Sequence, residues 1–213
     1  MIRVTGFVWV PPFAVGLVRE LRVRWALEEA GLPYEMRLID QDDQKSAAYR
    51  KQQPFGQVPV YEEDGLTLFE SGAIVLHVGE KSEALLPKDP AGKARATAWV
   101  LAALNSIEPR VQHYAVLDVF YPDQNWARER APSARAEAEV RLADLAKWLE
   151  GRDYLEDRFT AGDLMMTTVL RTLRGTGIVE GMPALAAYQA RCEARPAFRK
   201  ALADHMAVYE KAA

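Results

Sequence analysis

Gln53-Pro54-Phe55-Gly56-Gln57-Val58-Pro59-Val60, followed eleven residues after Pro59 by Glu70-Ser71-Gly72-Ala73-Ile74, decides how this chain is read. A proline that opens a strand has no N–H for the ladder, so it belongs at a strand start or an edge, and its X-Pro bond can be held cis. A cis Val58-Pro59 bond turns the Val58 N–H and C=O outward, where an extended ligand can pair with them. Glu70 supplies a negative charge for an ammonium. The Ser71 hydroxyl and the unpaired N–H groups of a helix starting there accept a carboxylate. A ligand carrying both groups on one carbon fits such a pair.

Outward from this stretch, the pattern alternates strand and helix. Ile2, Val4 and Gly6 open a first strand, and Tyr34, Met36 and Leu38 alternate with Glu35 and Arg37 as in a half-buried second one. Between them Val23, Ala26, Leu27 and Ala30 fall on one helical face, with Arg22, Arg24, Glu28 and Glu29 mostly on the other; Gly31 and Pro33 end the helix. Val58–Tyr61 and Leu66–Phe69 flank Glu62-Glu63-Asp64-Gly65, whose Asp-Gly suits a hairpin turn, and a helix runs from Ser71 to about Glu80. The order βαβ then ββα matches an α/β, thioredoxin-like unit, although spacing alone also allows other small α/β arrangements.

Past Leu86-Pro87-Lys88-Asp89-Pro90-Ala91-Gly92, rich in helix and strand breakers, only helical patterns remain. The expected division is an α/β domain over 1–83, a linker over 84–92 and an all-helical domain over 93–213. Pro109 should interrupt the first long helix, Tyr121-Pro122-Asp123-Gln124-Asn125 reads as a loop, and Leu142, Leu145, Ala146 and Leu149 form a buried stripe. Thr160 with Asp163 forms a capping box, with Phe159 and Leu164 placed as its hydrophobic staple.

Composition narrows the partner. The 213 residues are 49% hydrophobic, enough for a sizeable core, and the formal net charge of -3 without a dense Lys/Arg run argues against a nucleic-acid or membrane-surface partner. A small molecule is expected. A single cysteine, Cys192, excludes an internal disulfide and points to a reducing compartment. Neither a signal-peptide layout nor a membrane-length apolar run is present, so a cytoplasmic location is expected. His77, His113 and His205 share no metal-ligand spacing, and no metal is expected.

These segments together resemble the glutathione transferase superfamily. Beyond the Val58-Pro59 and Glu70-Ser71 pair, Val23 to Glu35 is similar to the family's first helix and its exit into the second strand, and Leu85-Leu86-Pro87 to its interdomain linker. Phe159-Thr160-Ala161-Gly162-Asp163 is similar to the cap of its helical domain, and Arg195-Pro196-Ala197-Phe198 to its closing helix. The resemblance implies that Gln57, Val58, Pro59, Glu70 and Ser71 bind glutathione as co-substrate, with Gln44 toward its glycine end. It implies an electrophile pocket lined by Trp9, Phe13, Arg110 and Tyr114, with Phe120 as a further aromatic candidate, and a homodimer.

The first loop departs from the family. Glutathione's thiol, with an ordinary pKa near about 8.5, needs help to ionise. Glu20 stands where related proteins often carry serine, and neither Tyr nor Cys lies between Met1 and Tyr34. A carboxylate there would oppose a thiolate. Three substitutes remain, each with an ordinary structural reading beside it: the start of the first helix after Pro11-Pro12-Phe13, the Arg19 cation, and the Thr5 hydroxyl. Arg19 with the helix start is the catalytic expectation. The implied activity is conjugation of glutathione to a small electrophile; the alternatives are a non-catalytic glutathione- or partner-binding protein, and a glutathione-dependent isomerase or peroxidase.

Overall fold

The computed structural model describes residues 1–210. Along the chain run β1 (Ile2–Phe7), α1 (Glu20–Ala30), β2 (Tyr34–Ile39), α2 (Gln41–Lys45), α3 (Ala47–Gln52), β3 (Val60–Glu63), β4 (Leu66–Phe69) and α4 (Ser71–Gly79). Then come α5 (Pro90–Ala102), α6 (Glu108–Ala115), α7 (Asn125–Trp148), α8 (Ala161–Leu170), α9 (Pro183–Glu193) and α10 (Pro196–Glu210). The chain divides into two compact units, one from Met1 to Leu86 joined by the residues from Arg195 onward, the other Pro87–Ala194. The first is thioredoxin-like and the second all-helical, as expected. The expected helical domain, however, included α10, which folds with the first unit; its final positions, 211–213, lie outside the described residues.

In the first unit the sheet order is β2-β1-β3-β4, with β1 parallel to β2 and antiparallel to β3. Asp64 and Gly65 both take positive φ, 48° and 85°, which lets a two-residue turn match the twist of β3 and β4. β3 begins at Val60 rather than at Val58, because Pro59 brings no N–H to the ladder. The expected alternation in β2 holds for Tyr34 and Met36, then reverses: Leu38 is exposed and Ile39 buried. Two short helices, α2 and α3, fill a connection the sequence left unassigned, each with an acceptor at its start, Asp40 and Ser46.

The helix α1 corrects a larger expectation. Arg22 and Arg24, placed on the solvent side by periodicity, are buried at 4% and 3% exposure. Periodicity assumes one covered face, whereas α1 packs against β1 and α4 and also against α10. Trp25 meets the Phe198 ring edge-on at 4.7 Å, Arg195 bonds Glu29 through two nitrogens at 2.6 and 2.7 Å, and Lys200 reaches Glu28 at 2.8 Å. Gly31 then ends α1 in the left-handed conformation, φ 66°.

The second unit follows its breakers. Pro109 sits in the first turn of α6, and the helix before it widens into a π turn over Ala103–Ile107. A further π turn covers Val116–Phe120, the loop runs through Gln124, and Asn125 opens α7. Leu142, Leu145 and Leu149 are buried. Both halves of the Thr160–Asp163 capping box form at α8. A Cβ on Gly162 would lie 2.5 Å from that of Trp99, so the absence of a side chain there lets α8 approach α5 closely. Among the described residues no helix is long and apolar enough to cross a membrane.

Candidate functional site

Val58 gives its side chain to the core and its main chain to the surface. The side chain is buried with Ile39, Tyr49 and Val60, and Phe7 and Val18 pack against that cluster. The Val58-Pro59 bond is cis, and ladder pairing of β3 starts only at Val60 opposite Phe69, so the Val58 N–H and C=O stay outside the sheet. The approach to Val58 is braced from within: Tyr49 donates its hydroxyl to the Gln57 carbonyl at 2.6 Å, and Gln53 Oε1 accepts the Phe55 N–H at 2.7 Å. Burial pushes the Tyr49 hydroxyl up to about 12, so it remains a donor at neutral pH. Gln44 is half-buried and donates to the Gly56 carbonyl at 2.5 Å, which makes it a further brace of this segment. Gln57 is exposed.

Glu70 and Ser71 stand at the start of α4. Glu70 has φ 69° and ψ 113°, a conformation that costs a non-glycine residue roughly 1–3 kcal/mol, and its side chain caps nothing. Its carboxylate is exposed, and the first-turn N–H groups of α4 have no side-chain cap. Ser71 is buried and its Oγ accepts from Arg22 Nη1 at 3.2 Å. With that acceptor role filled, the Ser71 O–H is left to donate to an incoming anion, and the guanidinium behind it adds positive charge to the helix start. Arg22 is a residue the sequence reading missed: its only signal was a cation on the helix after the first loop, and periodicity turned it the wrong way.

The first loop differs most from expectation. After β1, Pro12–Ala14 make a single 3₁₀ turn, Gly16 takes φ 80°, and α1 begins only at Glu20. The helix therefore does not start directly after Pro11-Pro12-Phe13, because a left-handed residue at Gly16 interrupts it. No side chain caps α1. The Leu21 and Arg22 amides bond back to the Val18 and Arg19 carbonyls at 3.0 and 3.2 Å, while those of Val18 and Glu20 have no backbone acceptor among the described residues. Arg19 is exposed at the N-cap, next in sequence to Val18, which packs on the Val58 cluster. The helix start and the Val58 edge thus share one neighbourhood.

Two other expectations about this loop change. Thr5 is fully buried, with an Oγ1 that has no hydrogen-bond partner, so its hydroxyl has no access to a ligand thiol. Glu20 does not face outward as an opposing charge. It is buried, and its Oε1 lies 2.9 Å from His205 Nδ1, with the Tyr209 hydroxyl donating to it at 3.4 Å. The small Gly6 on β1 leaves room for it, since a Cβ there would meet Glu20 Cγ at 3.3 Å.

Of the residues expected around the electrophile, Trp9 and Phe13 are exposed in the first loop, Trp9 by 53%. Arg110 and Tyr114 belong to the second unit, on α6. Arg110 pairs with Glu137 at 3.0 Å; Tyr114 is buried, with the Arg135 guanidinium 5.9 Å from its ring centre. Phe120 is exposed, Cys192 is buried, and His77 lies 3.5 Å from Glu63 Oε2. No group of His, Cys, Asp and Glu suited to a metal ion occurs among the described residues.

Fold and site define the class first: a thioredoxin-like domain with an outward main-chain edge beside an uncapped helix start, followed by an all-helical unit. Residues 14–80 match the family described as the N-terminal domain of glutathione S-transferases. A glutathione S-transferase of Hyoscyamus muticus is 30% identical over 196 residues, covering 85% of this chain and 92% of that protein. Glutathione S-transferase 4 of Zea mays is 32% identical over 193 residues, covering 84% of this chain and 85% of its own. Among solved structures, a glutathione transferase from Burkholderia graminis, crystallised with two glutathione molecules bound per subunit, superposes with a TM-score of 0.79 at 28% identity over 94% of this chain and 87% of that one. The chain belongs to the glutathione S-transferase family.

Proposed function

We propose that this chain binds glutathione along Val58-Pro59, ionises its thiol at the start of α1 and transfers the sulfur to a small electrophilic carbon. The observation that carries the reading is the open start of α4, where Ser71, held by Arg22, has its hydroxyl free to donate beside uncapped N–H groups and the exposed Glu70 carboxylate. The glutathionyl α-carboxylate takes the Ser71 O–H and the helix amides, and its ammonium faces Glu70. The cysteinyl main chain pairs with Val58. Sulfur then falls to the Val18 and Glu20 amides and the Arg19 cation, which favour the anion. The thiol proton leaves to solvent, and the carbon–sulfur bond forms as the bond to the leaving group breaks. Thiol transfer through an enzyme cysteine has no support, because the single cysteine, Cys192, is buried in the second unit. The relatives' names and the glutathione bound in the Burkholderia graminis protein support the co-substrate. A homodimer and a cytoplasmic location are part of the same proposal.

The second reading, a protein that binds glutathione or a partner without turnover, is favoured by one observation: the first loop offers no exposed hydroxyl or thiol. Ultraviolet titration of the bound glutathione thiolate, on the wild type and on Arg19→Ala, separates the two. A bound thiol pKa well below about 8.5 that rises in the variant supports the enzyme. Binding without that displacement supports the second reading, and no binding overturns both.

A further inference from the structure

The mechanism above leaves unused the most deeply buried ionisable pair of the first unit, His205 on α10 and Glu20 on α1, exposed by 0% and 1%. His205 Nε2 accepts the main-chain N–H of Gly16 at 3.0 Å. An imidazole nitrogen that accepts carries no proton, so the proton of the neutral ring sits on Nδ1, the atom 2.9 Å from Glu20 Oε1. That approach is close enough for electrostatic pairing but is not aligned as a hydrogen bond, and among the described residues Nδ1 and Glu20 Oε2 have no hydrogen-bond partner. A carboxylate beside Nδ1 favours the tautomer that carries its proton there and leaves Nε2 as the acceptor. Tyr209, one turn further along α10, meets the imidazole edge-on at 5.0 Å and donates to the same Glu20 oxygen.

One imidazole therefore touches both ends of a five-residue segment, the Gly16 amide at one end and the Glu20 side chain at the other. Between them lie Val18 and Arg19, the residues placed next to the ligand sulfur. Gly16 supplies the φ of 80° that this turn of the main chain requires. A leucine or phenylalanine would fill the space without burying a charged partner, so packing alone does not account for the pair.

We propose that His205 is a positioning residue of the thiol site: by accepting from Gly16 while paired with Glu20, it fixes the segment from Gly16 to Glu20 so that the Val18 and Glu20 amides and Arg19 converge on the sulfur. The proposal rests on the glutathione reading. Its test uses the full chain with His205→Leu, which removes the acceptor, and His205→Gln, whose amide oxygen can accept from Gly16 while its NH2 faces Glu20.

In His205→Leu the pKa of the bound glutathione thiol should rise by about one or more toward the free value, with turnover near pH 6.5 falling about tenfold. Near about pH 5, where the thiol is protonated both free and bound, the dissociation constant of glutathione should change less than about twofold, because Val58, Glu70 and Ser71 are untouched. His205→Gln should recover most of the lost thiol ionisation. A purely structural role would lower the melting temperature of both variants and leave the thiol pKa of the folded protein at the wild-type value, which overturns the proposal. Nitrogen NMR of the unsubstituted protein decides independently of whether a variant folds: an unprotonated Nε2 coupled to the Gly16 amide supports it, and a protonated Nε2 overturns it. Absence of glutathione binding in the wild type would instead overturn the functional reading, and this inference with it.

Discussion

α8 and α4 both begin on a pair of polar residues, and the two beginnings are completed in opposite ways. At α8 Thr160 Oγ1 accepts the Gly162 N–H at 3.2 Å, and Asp163 accepts the amides of Thr160 and Leu155, each at 2.9 Å, together with the Tyr188 hydroxyl at 3.0 Å. Every carboxylate oxygen there is engaged by the protein itself. At α4 no side chain caps the first turn, Glu70 holds an unfavourable φ, and Ser71 receives a bond from Arg22 while its own proton stays unspent. A closed start returns its hydrogen bonds as stability, whereas an open one keeps its donors for a ligand and leaves the fold weaker there.

The contrast is broken most easily at the closed end. Asp163→Ala leaves two buried amides without an acceptor and removes the nearer partner of the Tyr188 hydroxyl, and should cost about 3–5 kcal/mol in urea unfolding while glutathione affinity of the folded protein is unchanged. A loss below about 1 kcal/mol would show that the closed cap carries little stability.

Next comes pH. Burial pushes the Asp163 carboxyl up from 3.8 to about 6, against the pull of its hydrogen bonds. The folded value exceeds the unfolded one, so folding favours the protonated form: that contribution is complete below about pH 4 and is lost as pH rises through about 6, about 3 kcal/mol in all. Asp163→Asn cannot titrate, so its deficit relative to the wild type should shrink by that amount between pH 4 and 7, measured by denaturation at each pH. A deficit independent of pH would contradict the raised carboxyl.

The open end answers in binding. Ser71→Ala should weaken glutathione binding by about 1–3 kcal/mol in titration calorimetry, the usual loss of a hydrogen bond to a charged group. Unchanged affinity would sink the site. The smallest effect should come from Glu70→Gly, which accepts positive φ without strain: stability should rise by about 1 kcal/mol while affinity for glutathione falls. If stability falls instead, the α4 start is not held at a cost to the fold.

What could be seen beforehand follows from distance along the chain. The α8 cap was visible because Thr160 and Asp163 are three residues apart, and the hairpin because Asp64-Gly65 carries its own turn chemistry. The Gln57-Val58-Pro59 edge and Glu70-Ser71 were also local signals, strengthened by standing together. By contrast, His205 lies 189 residues from the Gly16 amide it accepts, and nothing near either residue announces the other. The same blindness placed Arg22 and Arg24 in solvent, since periodicity reads one covered face, whereas α1 is covered both by α4, whose Ser71 takes Arg22, and by α10. Glu20 was identified as a departure from related chains, yet its orientation depended on that same helix. The short helices α2 and α3 escaped because five and six residues are too few to show a period.

The return of α10 to α1 has a consequence for biosynthesis. By Leu86 a nascent chain has made the whole sheet with α1 and α4, but the outer side of α1, with Trp25, Arg24 and Glu20, stays uncovered until Pro87–Ala194 and then α10 have left the ribosome. The helical unit is continuous in sequence and can close as it emerges. The α/β unit, although it precedes the helical unit in sequence, is therefore completed after it, and the loop expected to meet the sulfur gains its imidazole anchor only once α10 has been made.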